Sequence, residues 1–291
     1  MVDIVIVNWN SGNYLQLCIN SIFSNNNQKY VGKVFIVDNN STDESLKKIP
    51  VSDKIIIIKN KENYGFAKAC NQGFQNSTSS CILLLNPDAK LYSTTLSDCI
   101  NFMNCHIEVD ILGCQLLDDA GSITRSCSRF PTLRGFFYDA IGLSKIAPKI
   151  FTPALLMTDW DHKSSRPVNQ VMGAFMFIRK SIFTEIGYFD ERFFVYYEEL
   201  DFSKKLAEYG GITYFNADIK AVHSGGGTTS DIKAFRLFLN LRSRLLYGRK
   251  HFSYMSYLFL TFCTFIIEPV TRSLFFLSKG NLRGIREVIQ G

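Results

Sequence analysis

At 291 residues, 46% apolar and 20% charged, the chain is long enough for one large domain and apolar enough to bury a core, which excludes a disordered or fibrous protein. Net charge is +6, and residues 231–291 alone carry ten Lys/Arg against three Asp/Glu, so the basic character belongs to the tail and not to the body. A basic, aromatic tail points to an anionic membrane surface; no DNA- or RNA-binding motif accompanies it, and nucleic acid is set aside as a partner.

From the start, DIVIVNW reads as an apolar strand that turns polar at Asn8, and GNYLQLCINSIF places Leu15, Ile19 and Ile22 on one helical stripe. MVDIVIVNWN enters this strand without the basic region of a secretory leader. KVFIVDNNSTDES is a strand ending in Asp38, and Ser41-Thr42-Asp43-Glu44 has the pattern of a capping box that would open a helix. KIIIIKN, NYGFAKACNQGF and CILLLNPDA repeat the alternation. Continuously apolar strands separated by helices predict a mostly parallel, Rossmann-like sheet covered on both faces, whose strand carboxyl ends carry Asn8, Asp38, Asn63 and Asn86-Pro87-Asp88. Eight scattered cysteines without a CxxC pair suit buried thiols in a reducing cytosol.

The following part is less regular. DAGSITRSCSRFP suggests a hairpin or extended arm, and residues 134–168 show no clear period. VNQVMGAFMFIRKSIF resumes with a strand and a helix. Within it Gly173-Ala174 would allow close backbone approach, and Arg179 and Lys180 are positioned to pair with phosphate or nearby acids. FFVYYEELDFSKKL sets Glu198, Glu199 and Asp201 in a first helical turn directly after an aromatic run. The helix dipole accounts for acids there, but not for placing them beside an apolar shelf. A general base must be ionised and within reach of the proton it removes, and a carboxylate here meets both demands. Glu198 and Asp201 are expected to share a face, with Glu199 pointing elsewhere.

ITYFNADIKAVH is a strand pair or one long strand ending at His223, and SGGGTT follows as a loop able to move over a ligand. Asp88 can hold a hard divalent ion or close an Asx turn. His223 can complete such a metal shell or bond to the backbone. Asp38 can accept from a nucleotide or from its own loop. Residues 232–250 form a basic amphipathic helix. Two apolar blocks, Phe252–Ile267 and Ser273–Leu277, are separated by Glu268-Pro269. The longer is short for a bilayer span, which suggests an in-plane or re-entrant anchor.

Taken in order, VIVNWNS, VDNNSTDES, NYGFAKACNQGF, LLLNPDA, VMGAFMFIRKSIFTEIGYFDERFFVYYEELDFSKKL and HSGGGTT resemble the family 2 inverting glycosyltransferases of GT-A fold, in particular their bacterial rhamnosyltransferase-like branch. The resemblance covers about Val5 to Thr229. It implies a GT-A domain over residues 1–230, with a nucleotide-sugar half to about 120 and an acceptor half beyond, and a membrane-associating helical tail over 231–291. Asn8, Asp38, Asn63, Gly65, Asn86 and Asp88 would bind the nucleotide-sugar, and Asp88 with His223 would hold Mg²⁺ or Mn²⁺. Glu199 would be the base, with Glu198 as its competitor for the role, and Gly173, Ala174, Tyr197 and Glu198 would meet the acceptor. Asn86 replaces the first acid of the family's Asp-X-Asp element, and Glu199 stands where Asp is usual. The implied reaction transfers a sugar, rhamnose from dTDP-rhamnose first, to a lipid-linked saccharide at the cytoplasmic face of the bacterial inner membrane. A dinucleotide oxidoreductase is disfavoured because NWNSGNY stands where GxGxxG is required. A non-catalytic carbohydrate-binding protein is the other alternative.

Overall fold

The structure, a computed structural model, describes residues 1–24, 26–225 and 233–280. The first half runs β1 (Val2–Asn8), α1 (Tyr14–Ile22), β2 (Val31–Asp38), β3 (Ile55–Lys59), α2 (Phe66–Asn76) and β4 (Cys81–Leu85). These strands pair in parallel, β2 and β4 on either side of β1 and β3 outside β2. Leu15, Ile19 and Ile22 bury as the helical stripe predicts, beneath Ile4, Ile6 and Ile36. β3 departs from the expectation of cover on both faces: it is an edge strand, with Ile56 and Ile57 exposed.

The second half comprises β5 (Ala89–Leu91), α3 (Thr95–Cys105), β6 (Val109–Leu117), β7 (Cys127–Ser128), α4 (Leu133–Ala140), α5 (Leu143–Ile146), β8 (Arg166–Pro167), β9 (Gln170–Val171), β10 (Phe175–Arg179), α6 (Ile182–Ile186), α7 (Glu198–Tyr209) and β11 (Ile212–His223). β10 is inserted antiparallel between β4 and β6, and β11 lies parallel to β6. The sheet order is therefore β3-β2-β1-β4-β10-β6-β11-β5, with β8 added on β11. The sheet is parallel in its first half and mixed in its second, flanked by helices. β11 is one long strand, irregular between Asn216 and Lys220. The arm after β6 turns tightly, with a bridge from Leu117 to Ile123, and then runs to β7, which pairs with β9.

The predicted capping box does not form. Ser45–Lys48 is a single 3₁₀ turn capped by Glu44 without a side-chain bond, because the Ser41 hydroxyl is occupied accepting from the Asn8 amide (3.1 Å) and the Asn10 N–H (3.0 Å). Among the described residues, Arg179 and Lys180 donate to backbone carbonyls and not to an acid. Arg179 donates to the carbonyls of Met103, His106 and Val109, closing the end of α3, and Lys180 donates to the Ser77 carbonyl. Cationic side chains satisfy helix-end carbonyls in this way.

The chain closes with α8 (Lys233–His251), α9 (Tyr254–Phe262), a π-helical turn (Cys263–Ile267) and α10 (Glu268–Ser278). Glu268-Pro269 does not break the apolar run. The last three elements form one helix of 25 residues, Tyr254–Ser278, long and apolar enough by length and composition to cross a membrane. The wider π turn just before Pro269 relieves the clash and the missing N–H that a proline brings to a regular helix. One face of this helix buries Leu260, Cys263, Thr264 and Glu268 against α4 and α8. The opposite face leaves Met255, Phe259, Phe262, Ile266, Val270 and Leu274 exposed.

Candidate active site

Polar side chains gather where the parallel strands end, as the strand-end rule requires. The Asn8 amide donates to Asp38 (2.7 Å), Ser41 and Ser45 (3.0 Å), and its carbonyl oxygen accepts from Ser11. Asp38 also accepts from the Ser41 N–H at 3.2 Å, so both its oxygens are engaged within the loop, and it is buried. Asn63 is half-buried and spends its side-chain oxygen on the Gly65 N–H at 2.9 Å. Gly65, with φ +85°, precedes α2, and a Cβ there would run into the Phe194 carbonyl. That carbonyl accepts from the Phe66 N–H at 2.6 Å, which joins the start of α2 to the stretch leading into α7.

A second network went unrecognised in the sequence. Asn39 donates to the Gly65 carbonyl (3.1 Å), Asn60 donates to Asn39 (2.8 Å), and Asn60 and Gln72 exchange hydrogen bonds at 2.9 Å. Asn39 and Asn60 each follow a strand end directly, and strand-end position was the signal that could have found them.

Asn86, Pro87 and Asp88 turn out of β4. The Asn86 N–H donates to the Ala174 carbonyl at 3.0 Å, and Asp88 lies 3.2 Å from His223 Nε2 at the end of β11. Both side chains are largely buried. Among the described residues no group of three or more His, Cys, Asp or Glu could hold a metal by itself. One carboxylate and one imidazole nonetheless fit an octahedral ion that draws its remaining ligands from a diphosphate and water. Residues 226–232, which include most of the SGGGTT stretch, lie outside the described residues.

α7 starts where the acids were expected and is preceded by two consecutive left-handed residues, Tyr196 (φ 68°) and Tyr197 (φ 70°). Such conformations cost about 1–3 kcal/mol each outside glycine and persist only where surroundings enforce them. The expected partition of the acids is reversed. Asp201 is wholly buried and paired with Lys250 (2.8 Å) and His251 (2.7 Å) of α8, away from Glu198. Glu198 instead meets Glu199, and one oxygen of each carboxyl is buried without a partner. Burial first, and then the neighbouring Glu199, push the Glu198 carboxyl well above the usual carboxylate range. Tyr197 is also not a surface residue: its ring packs on Tyr247 with centroids 5.7 Å apart, inside the core. Phe194 and Tyr196, in the aromatic run that leads into α7, are half-buried.

Glu199 faces the turn between β9 and β10. Its Oε1 lies 3.4 Å from the point a Cβ on Gly173 would occupy, with the Phe66 ring 3.6 Å from the same point. Ala174, the next residue, is the one bonded to Asn86. One continuous wall thus runs from Glu199 through Gly173 and Ala174 to Asn86 and Asp88, and Phe66 links it to the Asn39–Asn60 network.

A parallel half-sheet with polar strand ends, an antiparallel strand whose leading turn meets the α7 carboxylate Glu199, and an Asp–His pair joining the ends of β4 and β11 define a GT-A type glycosyltransferase. Residues 3–163 match the model for glycosyl transferase family 2, and the chain belongs to that family. It is 27% identical over 258 residues to the low-salt glycan biosynthesis hexosyltransferase Agl10 of Haloferax volcanii, covering 87% of this chain and 76% of that protein. It is 22% identical to the N-acetylglucosaminyl-diphospho-decaprenol L-rhamnosyltransferase of Mycobacterium tuberculosis, over 74% of this chain and 73% of the relative. Rhamnosyltransferase WbbL of Escherichia coli K12 is 27% identical over 57% of this chain and 61% of its own. Among solved structures, the mannosyltransferase PcManGT of Pyrobaculum calidifontis with GDP-Man and Mn²⁺ aligns with TM-score 0.57 and 13% identity, over 99% of this chain and 72% of that one. GalNAc-T7 with UDP, GalNAc and Mn²⁺ aligns at 0.55 and 15% identity, over 77% of this chain, which spans 43% of that structure's length. The protein is a glycosyltransferase of the rhamnosyl- and hexosyltransferase-like branch.

Proposed function

We propose that the enzyme transfers a sugar, with inversion, from a nucleotide-diphospho-sugar to a hydroxyl of a lipid-linked saccharide in bacterial surface polysaccharide synthesis. Rhamnose from dTDP-rhamnose is the first donor, and a UDP-hexose or UDP-N-acetylhexosamine is the alternative. The relative named as an N-acetylglucosaminyl-diphospho-decaprenol L-rhamnosyltransferase supports rhamnose as the sugar moved and a lipid-linked acceptor. The observation that carries the reading is the wall from Glu199 through Gly173 and Ala174 to Asn86 and Asp88.

Glu199, whose Oε1 faces Gly173 while burial shifts its neighbour Glu198 upward, is the member of the pair that takes the acceptor proton. The acceptor oxygen then forms a bond to the anomeric carbon on the face opposite the leaving group. The bond from that carbon to the diphosphate oxygen breaks, and the nucleoside diphosphate departs with the electron pair. Asp88 and His223 would hold Mg²⁺ or Mn²⁺, which when bound supplies charge neutralisation for the diphosphate. Asn8, Asp38, Asn63, Gly65 and Asn86 shape the donor pocket, chiefly by fixing its loops. Gly173 and Ala174 present backbone at the point where the two substrates meet.

The tail lies along the membrane plane rather than across it. Glu268, near the middle of the long helix, is ion-paired with Arg244 of α8 and with Arg272, which holds that helix against the domain while its apolar stripe faces outward. The basic tail suits the anionic cytoplasmic leaflet of the inner membrane, where each Lys/Arg near the surface adds about 1 kcal/mol. Glu199→Gln should reduce transfer by about 10²–10⁴-fold with sugar-nucleotide binding retained. Turnover at the wild-type rate would remove Glu199 as the base.

A further inference from the structure

Helix α8 lies outside residues 3–163, and it appears in the sequence as part of a membrane tail. Its inward face tells of a second task. Ser243, buried, donates to the Val195 carbonyl at 2.7 Å. Arg236 donates to the Tyr196 hydroxyl at 3.2 Å, and the Tyr247 ring packs on Tyr197. One turn further, Lys250 and His251 both grip Asp201, and Lys250 also reaches Asp190 at 2.9 Å. Residues spaced along α8 from Arg236 to His251 therefore touch residues 195, 196, 197 and 201, which bracket Glu198 and Glu199.

The bracketed segment needs holding. Tyr196 and Tyr197 are consecutive residues with positive φ, and neither side chain is small or amide-bearing as that region favours. α7 also starts without a side-chain cap. Left alone, the turn would relax, and the first turn of α7 would rotate with it. Glu199 sits two residues past the strained pair, so relaxation there swings its carboxyl away from Gly173.

We propose that α8 is a positioning element of the active site, in which Ser243, Tyr247, Lys250 and His251 hold the strained Tyr196–Tyr197 turn and Asp201 so that Glu199 faces Gly173. The inference rests on the reading of Glu199 as the base. None of the four α8 residues needs to touch substrate; they act through the backbone of residues 195–201. The Glu268–Arg244 ion pair places the membrane helix on the same α8, so the base and the membrane anchor share one support.

The test uses the full-length chain and hydrolysis of dTDP-rhamnose, or of whichever UDP- or GDP-sugar the wild type turns over, with water as acceptor. Ser243→Ala should lower kcat about 10- to 100-fold, as expected for a misaimed group, with KM for the sugar nucleotide unchanged. His251→Leu should do the same, and His251→Gln, which restores a donor to Asp201, should recover most of the rate. In a Glu199→Gln background Ser243→Ala should cost nothing more, because residues acting as a unit are not additive. Amide hydrogen exchange over residues 194–203 should quicken in Ser243→Ala. Wild-type kcat in Ser243→Ala, an equal fractional loss in both backgrounds, or unchanged exchange would each overturn the proposal. Full turnover in Glu199→Gln alone would sink the assignment of the base, while the exchange measurement would still report whether α8 holds the turn.

Discussion

Glu198 offers a test in which the sign and the size both follow from its surroundings. Its carboxyl is buried beside Glu199 and titrates well above the ordinary value near 4.5. In the unfolded chain the same group loses its proton at the ordinary value. Across the interval between the two, the native state binds more protons than the unfolded state, so stability falls as pH rises. Glu198 is fully compatible with folding below about pH 4.5, and its contribution is lost progressively as pH climbs towards the raised folded value. The slope for one group is about 1.4 kcal/mol per pH unit. Glu198→Gln removes the titration while keeping shape and a hydrogen-bond donor towards Glu199. Denaturant unfolding of wild type and variant between pH 5 and 8 should therefore give curves that diverge with that slope, the variant gaining as pH rises. Turnover should stay within about tenfold of wild type, since the variant keeps the carboxylate of Glu199 and a donor beside it. Parallel stability curves would show that Glu198 is ionised in the folded protein. The base would then have to be reassigned between the two.

Asp88→Ala should abolish the part of sugar-nucleotide affinity that depends on Mg²⁺ or Mn²⁺, read by calorimetric titration with and without EDTA. Wild-type affinity indifferent to EDTA would count against a metal at Asp88 and His223. Replacing Phe262 and Ile266 together by Glu should leave unfolding nearly unchanged, because both side chains are exposed in the free protein. The same change should weaken binding to anionic vesicles more than about 100-fold, from the loss of two apolar insertions worth roughly 1.5–3 kcal/mol each. Equal binding by the double variant would exclude this stripe as the contact. Gly65→Ala should destabilise by about 1–3 kcal/mol, since it meets both a positive φ and the Phe194 carbonyl. A neutral result in urea unfolding would mean that the 194 loop is not held against α2.

Much of the architecture was legible because it is written in local periods. The stripe Leu15, Ile19, Ile22 and the apolar runs of β1, β2 and β4 name their elements directly, and the start of α7 at Glu198 follows from the cluster of acids. The failures have a common physical cause: each depends on a partner remote in sequence. Ser41 matches a capping box, but Asn8 claims its hydroxyl across 33 residues. Asp201 looks like a surface acid of a first turn until Lys250 and His251 arrive 49 and 50 residues later. Arg179 resembles a phosphate ligand, and the carbonyls ending α3 capture it first. Glu268-Pro269 reads as a helix break, whereas Arg244 and Arg272 neutralise the acid and a π turn accommodates the ring. Local pattern identifies which residues can do chemistry, and long-range pairing decides which of them are left free to do it.

That division explains why the site is built around β10. A parallel sheet alone gathers polar strand ends on one side, with no carboxylate from the later half of the chain beside them. Running β10 antiparallel between β4 and β6 brings the Gly173-Ala174 turn to the same edge as Asn86. The bond from the Asn86 N–H to the Ala174 carbonyl then ties the end of β4 to the turn before β10. Gly173 is the residue at that junction with no side chain, and Glu199 occupies the space beside it, 3.4 Å from where a Cβ would stand. A methyl group there would stand in ordinary contact with the Glu199 carboxyl and the Phe66 ring, 3.4 and 3.6 Å away. Gly173 thus sets bare backbone, between the Asn86–Ala174 bond and α7, directly against the Glu199 carboxyl.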